Sequence, residues 1–148
     1  MADATCKRLD EMEATFRGSM RKVRAELGLT SFGVQTIDLP PDSTRHPWHD
    51  HAEDGQEEMY IALEGGGVLE LESGERFPLE RDSLIRVAPA ERRRVLAGPD
   101  GLRMLVVGAI RAEPTSPGTG PCSGRLTPWR VEWDGWHEGR APGLLVGA

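Results

Sequence analysis

A chain of 148 residues is the size of one domain, long enough to close a hydrophobic core around a small pocket. Its formal net charge of −6 argues against a general nucleic-acid binder, which presents a basic surface. No apolar run reaches the length of a membrane helix, no signal-peptide stretch opens the chain, and two cysteines make no disulfide framework, so a reducing cytoplasm is expected.

Residues 1–32 form the first segment. Leu9, Met12, Phe16, Met20, Val23 and Leu27 recur at helical spacing, which predicts a helix over 6–27 packed on the rest of the chain and stopped at Gly28. Gly18 weakens that helix midway and admits two shorter pieces. From residue 33 to about 110 the pattern changes to some eight short strands separated by turn residues. They are Gly33–Leu39, Arg45–His51, Glu57–Leu63, Val68–Glu72, Arg76–Leu79, Ser83–Val87, Arg92–Leu96 and Leu102–Gly108. Strands of this number and spacing predict an all-β sandwich or barrel. Residues 111–148 begin as a Pro/Gly-rich linker and continue as an extended arm with Trp129, Trp133, Trp136 and His137. Three tryptophans in eight residues have much apolar surface to bury, either by packing on the barrel or a dimer mate or as a lid over a pocket.

Three of the four histidines lie in His46-Pro-Trp-His49-Asp-His51, and Glu58 opens the next strand. On an extended chain residues i and i+2 share a face, so His49 and His51 project side by side and Glu58 can join them across a hairpin. Two imidazoles and a carboxylate can hold one divalent metal, or act without it as an acid–base cluster. The spacing resembles the first signature of the cupin superfamily, His-x-His, Glu, then, after six intervening residues, glycine at Gly65. Gln56 is the alternative ligand if the count runs strictly from His51. The second signature is degenerate: Asp82 and Pro89 fit, but Arg93 stands where the third histidine belongs.

The resemblance spans about residues 33–108 and implies a cupin-type jelly-roll β-barrel with an N-terminal helix and a C-terminal arm. It implies His49, His51 and Glu58 as catalytic residues or metal ligands, with Fe, Mn, Ni and Zn undistinguished. Tyr60, Gln56 and His46 join them as substrate-binding candidates. Alternation must send either Arg93 or both Arg92 and Arg94 inward, and Arg93 and Arg86 are the candidate cavity arginines, each needing an acidic partner there. The plain alternative for Glu91–Arg94 is a solvated strand edge. The resemblance further implies a homodimer acting on a small molecule. The first expectation for function is a non-redox cyclase, isomerase, epimerase or lyase, of the kind found among small cupins of bacterial secondary metabolism. The alternatives are a metal-dependent oxygenase and a non-catalytic small-ligand binder.

Overall fold

The computed structural model describes residues 3–111, so the expectations for the tryptophan arm lie outside the described residues. Seven strands form one antiparallel sheet: β1 (Ala14–Thr15), β2 (Met20–Arg21), β3 (Gly33–Leu39), β4 (Gln56–Leu71), β5 (Arg76–Leu79), β6 (Leu84–Val87) and β7 (Arg93–Ile110). Their order is β1-β2-β3-β7-β4-β5, with β6 paired to the first half of β4 and β5 to its second half. This is the all-β architecture read from the sequence.

Its centre is the long β4–β7 pair, which runs from Gln56↔Ile110 to Leu71↔Arg93. Period-two alternation, its parity shifted across the irregular middle of the β4–β7 pair, sends Tyr60, Leu69 and Leu71 of β4 and Val95, Leu102, Met104 and Val106 of β7 into one core with Ile37, Leu39, Leu79, Ile85 and Val87. A smaller cluster on the outer face of β3 and β7 joins Met12, Val23 and Val34, with Leu9, Leu27, Leu105 and Val107 against them.

The single helix expected over 6–27 is not formed. The segment folds as a 3₁₀ turn (Leu9–Glu11), the β1–β2 hairpin and one short helix, α1 (Val23–Leu27). Phe16, Arg17 and Gly18 turn that hairpin with positive φ, and β2 extends the sheet at β3 through Met20↔Ile37. The apolar residues turn inward as the periodicity implied, Met12, Met20 and Val23 buried and Leu9, Phe16 and Leu27 partly so, but they divide between the two clusters: Phe16 and Met20 join the barrel core, Leu9, Met12, Val23 and Leu27 the outer one. Tertiary pairing overrides local helical propensity here. Gly28 does end α1, in the left-handed conformation, with the Leu29 amide donating to Arg24 O at 3.0 Å.

Two further expectations change. Arg45–His51 is no strand but an irregular segment pinned by a single bridge, His49↔Arg93, and the Pro47 ring removes a backbone donor inside it. The turn-like glycines 65–67 and 98–101 do not end strands either; they sit inside β4 and β7.

Candidate active site

Alternation along β4 places Gln56, Glu58 and Tyr60 on the barrel interior, all three buried. At the start of β7, Arg92 pairs outward with Glu72 and Arg94 with Glu70, while Arg94 also lies 4.7 Å over the Trp48 ring. Arg93 therefore points inward and is 0% exposed. The histidine segment is laid against this strand by reciprocal backbone bonds, His49 N–H to Arg93 O (3.1 Å) and Arg93 N–H to His49 O (2.9 Å). His51 N–H donates to Pro89 O at 2.8 Å. Those bonds bring His49 and His51 over Glu58, with their ring centroids 5.7 Å apart.

Glu58 is the hub. Its Oε2 accepts from Tyr60 Oη (2.5 Å) and Arg93 Nη2 (2.5 Å), and lies 3.7 Å from His49 Nε2. Its Oε1 lies 3.2 Å from His51 Nε2 and 3.4 Å from Gln56 Nε2. Arg93 also donates to Tyr60 Oη (3.2 Å) and Glu91 O (3.1 Å). The rings are oriented from behind: His49 Nδ1 meets Pro47 O and His51 Nδ1 meets Asp54 Oδ2, each at 3.1 Å. These contacts fix each ring with Nε2 turned toward Glu58, the orientation required of a metal ligand or of a group that shares a proton with that carboxylate. Side-chain exposures of 17% for His49 and 14% for His51 make these rings the solvent-facing members of the cluster, above buried Glu58, Tyr60 and Arg93.

Charge is distributed unevenly. Burial alone would raise the Glu58 pKa, but its bonds with His49 and His51 and the charge of Arg93 outweigh that and hold it well below the usual range. Tyr60, buried beside that carboxylate, is pushed well above an ordinary phenol and stays protonated. Burial would lower His51, but its bond to Glu58 and the charges of Glu58 and Asp54 raise it instead. His46 behaves oppositely: burial, then the nearby His49 and Arg93, push it down to about 3. Its Nδ1 accepts the Val95 N–H at 3.2 Å, as a neutral imidazole can.

His49, His51 and Glu58 offer ligand atoms that all lie within 4.8 Å of one another, so a divalent ion fits this donor set. On both imidazoles Nδ1 meets an oxygen, as it usually does on metal-ligating histidines. Arg93 does not displace the carboxylate from this role, because it occupies Oε2 while Oε1 faces His51.

Of the sequence candidates, His46, His49, His51, Gln56, Glu58, Tyr60 and Arg93 converge, and Arg86 does not. The Arg86 side chain is 63% exposed and forms a bidentate pair with Glu57 on the outer face, because residues 84–87 alternate with Ile85 and Val87 inward. Arg93 enters the barrel, but it lies behind Glu58 and Tyr60 without exposed surface, so it supports the site instead of meeting a ligand directly. Two members of the site were not among the sequence candidates: Asp54 and the Pro47 carbonyl, which hold the two imidazoles at Nδ1.

A separate shallow hollow of about 260 Å³, lined by Asp38, Glu64, Asp100 and Arg103 among others, lies near Leu102. That is six residues along β7 from Gly108, which pairs with Glu58, or about 20 Å at strand rise. Arg103 pairs there with both Asp38 and Glu64, one cation against three carboxylates, and no chemistry of the histidine cluster reaches it.

No protein-family model matches the chain, and no curated protein matches its sequence. Solved structures do. A cupin protein from Bacteroides fragilis superposes with a TM-score of 0.61 at 22% identity, covering 86% of this chain and 99% of that one. A sugar phosphate isomerase from a cupin superfamily, from Silicibacter pomeroyi, gives 0.56 at 21% identity over 73% and 76% of the two chains. An RmlC-like cupin protein from Desulfovibrio desulfuricans gives 0.53 at 17% over 70% and 94%. With the sheet order, the jelly-roll core and the His-x-His/Glu cluster inside it, these likenesses show that the chain has the cupin fold.

Proposed function

We propose that the chain is a small-molecule enzyme that moves protons on an oxygenated or anionic substrate, of the cyclase, isomerase, epimerase or lyase type. The observation that carries this reading is the pairing of two partly exposed imidazoles, His49 and His51, over one buried carboxylate, Glu58. His49, fixed through Nδ1 by Pro47 O, presents Nε2 as a base for a proton next to a carbonyl. His51, raised by Glu58, holds a proton that it can return or use to stabilise a developing oxyanion. Glu58 remains a carboxylate that orients both rings, and Tyr60 and Arg93 keep it in place. Arg86 takes no part. The isomerase named for the Silicibacter structure is in keeping with this reading.

The donor set supports a second reading, a metal-dependent oxygenase with His49, His51 and Glu58 as ligands. A bound ion would polarise a substrate oxygen as a Lewis acid. A homodimer is expected in either case. Turnover of small oxo and hydroxy acids and sugar phosphates should vanish in His49→Ala and His51→Ala with the fold intact by circular dichroism. Full activity in both variants would remove the acid–base mechanism. Elemental analysis separates the readings: activity in protein holding under about a tenth of an equivalent of metal, unchanged by chelation, excludes the oxygenase.

A further inference from the structure

Among the described residues, the outer face of the sheet is covered over β3 and β7 and bare over β4 and β6. On the covered side the N-terminal segment packs Met12 and Val23 against Val34, Leu105 and Val107. The same rows run on across the sheet: Leu105 pairs with Ile61 of β4 and Ile61 with Leu84 of β6, while Val107 pairs with Met59. Met59 and Ile61 are only partly buried and belong to neither apolar cluster. Leu84 points outward, since Ile85 and Val87 point in, and is 66% exposed. Leu63, next along β4, is exposed as well. The charges bordering this strip are already paired, Arg86 with Glu57 and Arg103 with Glu64, so what it lacks is an apolar partner.

A segment of the same chain is within reach. Strand β7 ends at Ile110, opposite Gln56 at the start of β4, and Arg111 follows. Arg111 lies six residues beyond Leu105, about 20 Å at strand rise. Residues 112–128 then lead to Trp129, and a chain of that length spans about 20–25 Å on average. From there Trp129, Val131 and Trp133 alternate with Arg130, Glu132 and Asp134. Period-two alternation gives such a stretch one apolar face, and each indole has a large surface to bury there.

We propose that residues 129–133 of this chain bind the outer face of β4 and β6, with Trp129, Val131 and Trp133 against Met59, Ile61 and Leu84. Met59 stands between Glu58 and Tyr60, so the arm backs the strand whose inner face carries the buried carboxylate.

Three measurements on the full chain test it. Leu84→Glu should lower the melting temperature by about 5 °C or more, whereas an uncovered side chain there would tolerate the charge within about 2 °C. Trp129→Ser/Trp133→Ser should show a similar loss. Combining the two changes should cost no more than about 2 °C beyond the larger single loss, because both undo one contact. Losses that add, or a Leu84→Glu protein as stable as the native one, would overturn the proposal. Location is read from ¹⁹F NMR of 5-fluorotryptophan protein, each signal assigned by its disappearance in the matching Trp→Phe variant. Leu84→Glu should move the Trp129 and Trp133 signals and leave Trp48 in place. Signals that move with His49→Ala but not with Leu84→Glu would put the arm over the histidines instead, and signals that move with neither would leave the face bare; either result overturns the proposal. Finally, labelled Leu84→Glu protein mixed with unlabelled Trp129→Ser/Trp133→Ser protein should keep its shifted signals. Their return to native positions would make the occupant the arm of a second copy, against the proposal.

Discussion

At the scale of the residue, the Arg93–Glu58 pair decides how the site is built. A fully buried guanidinium is tolerated only because Glu58, Tyr60 and the Glu91 carbonyl satisfy it. Arg93→Met should therefore strand a buried carboxylate and lower stability by about 3–5 kcal/mol, read from urea denaturation. The double variant Arg93→Met/Glu58→Leu should recover most of that loss, whereas an exposed pair would give no more than about 1 kcal/mol in either step. His46 governs a pH effect of known sign. Its folded-state value of about 3 lies below the ordinary 6.5, so its contribution is complete above about pH 6.5 and is lost as pH falls toward 3, where the unfolded chain binds a proton that the folded one does not. Urea midpoints should fall between pH 6.5 and 4 with a slope reaching about 1.4 kcal/mol per pH unit. In His46→Asn, whose carbonyl can still accept the Val95 N–H, that part of the slope should disappear. His51 acts with the opposite sign: raised when folded, it stabilises below its unfolded value and loses that contribution as pH rises through the folded one.

At the scale of the element, β4 and β7 show why turn residues mislead. Gly65–Gly67 and Gly98–Gly101 carry the composition of turns, and reading them as strand ends divides each of the two longest strands in two. In the fold they form irregularities inside a continuous pair, with register shifts between Ala62 and Glu64 and between Gly65 and Gly67 that let the strands bend. A Cβ on Gly67 would meet the Leu96 carbonyl oxygen at 2.2 Å, in the backbone of the partner strand. Gly67→Ala should accordingly cost about 1–3 kcal/mol in thermal or urea unfolding, although the residue is remote from the histidines. A neutral result would show that the pair tolerates separation there. The N-terminal stripe misleads in the other direction, because a helical period marks residues that are buried without saying by what element. The histidine segment was legible as a unit because its ligand spacing is local; its irregular backbone was not, since it depends on Arg93, more than forty residues away. The same alternation rule places Gln56, Glu58 and Tyr60 inward and Arg86 outward. Arg86 was misassigned because its apolar neighbours suggested burial for the whole run.

At the scale of the molecule, one barrel holds a charged cluster in a core otherwise made of aliphatic and aromatic side chains, and anything that binds the cluster is linked to global stability. A divalent ion at about 100 times its dissociation constant would add about 2.7 kcal/mol. If the donor set takes metal, Fe(II), Mn(II), Ni(II) or Zn(II) should raise the melting temperature of the full chain, and His49→Ala should abolish the rise. A melting temperature unmoved by all four would exclude a resident metal. The central claim, proton transfer by His49 and His51, is tested most directly by hydrogen exchange at substrate carbon. Small oxo and hydroxy acids and sugar phosphates are incubated with the full-length protein in D₂O and followed by proton NMR. With the native chain the C–H signal next to a carbonyl should be lost in at least one of them, and with His49→Ala and with His51→Ala it should be retained. Exchange that persists in both variants, or none in any compound with the native chain, would contradict it.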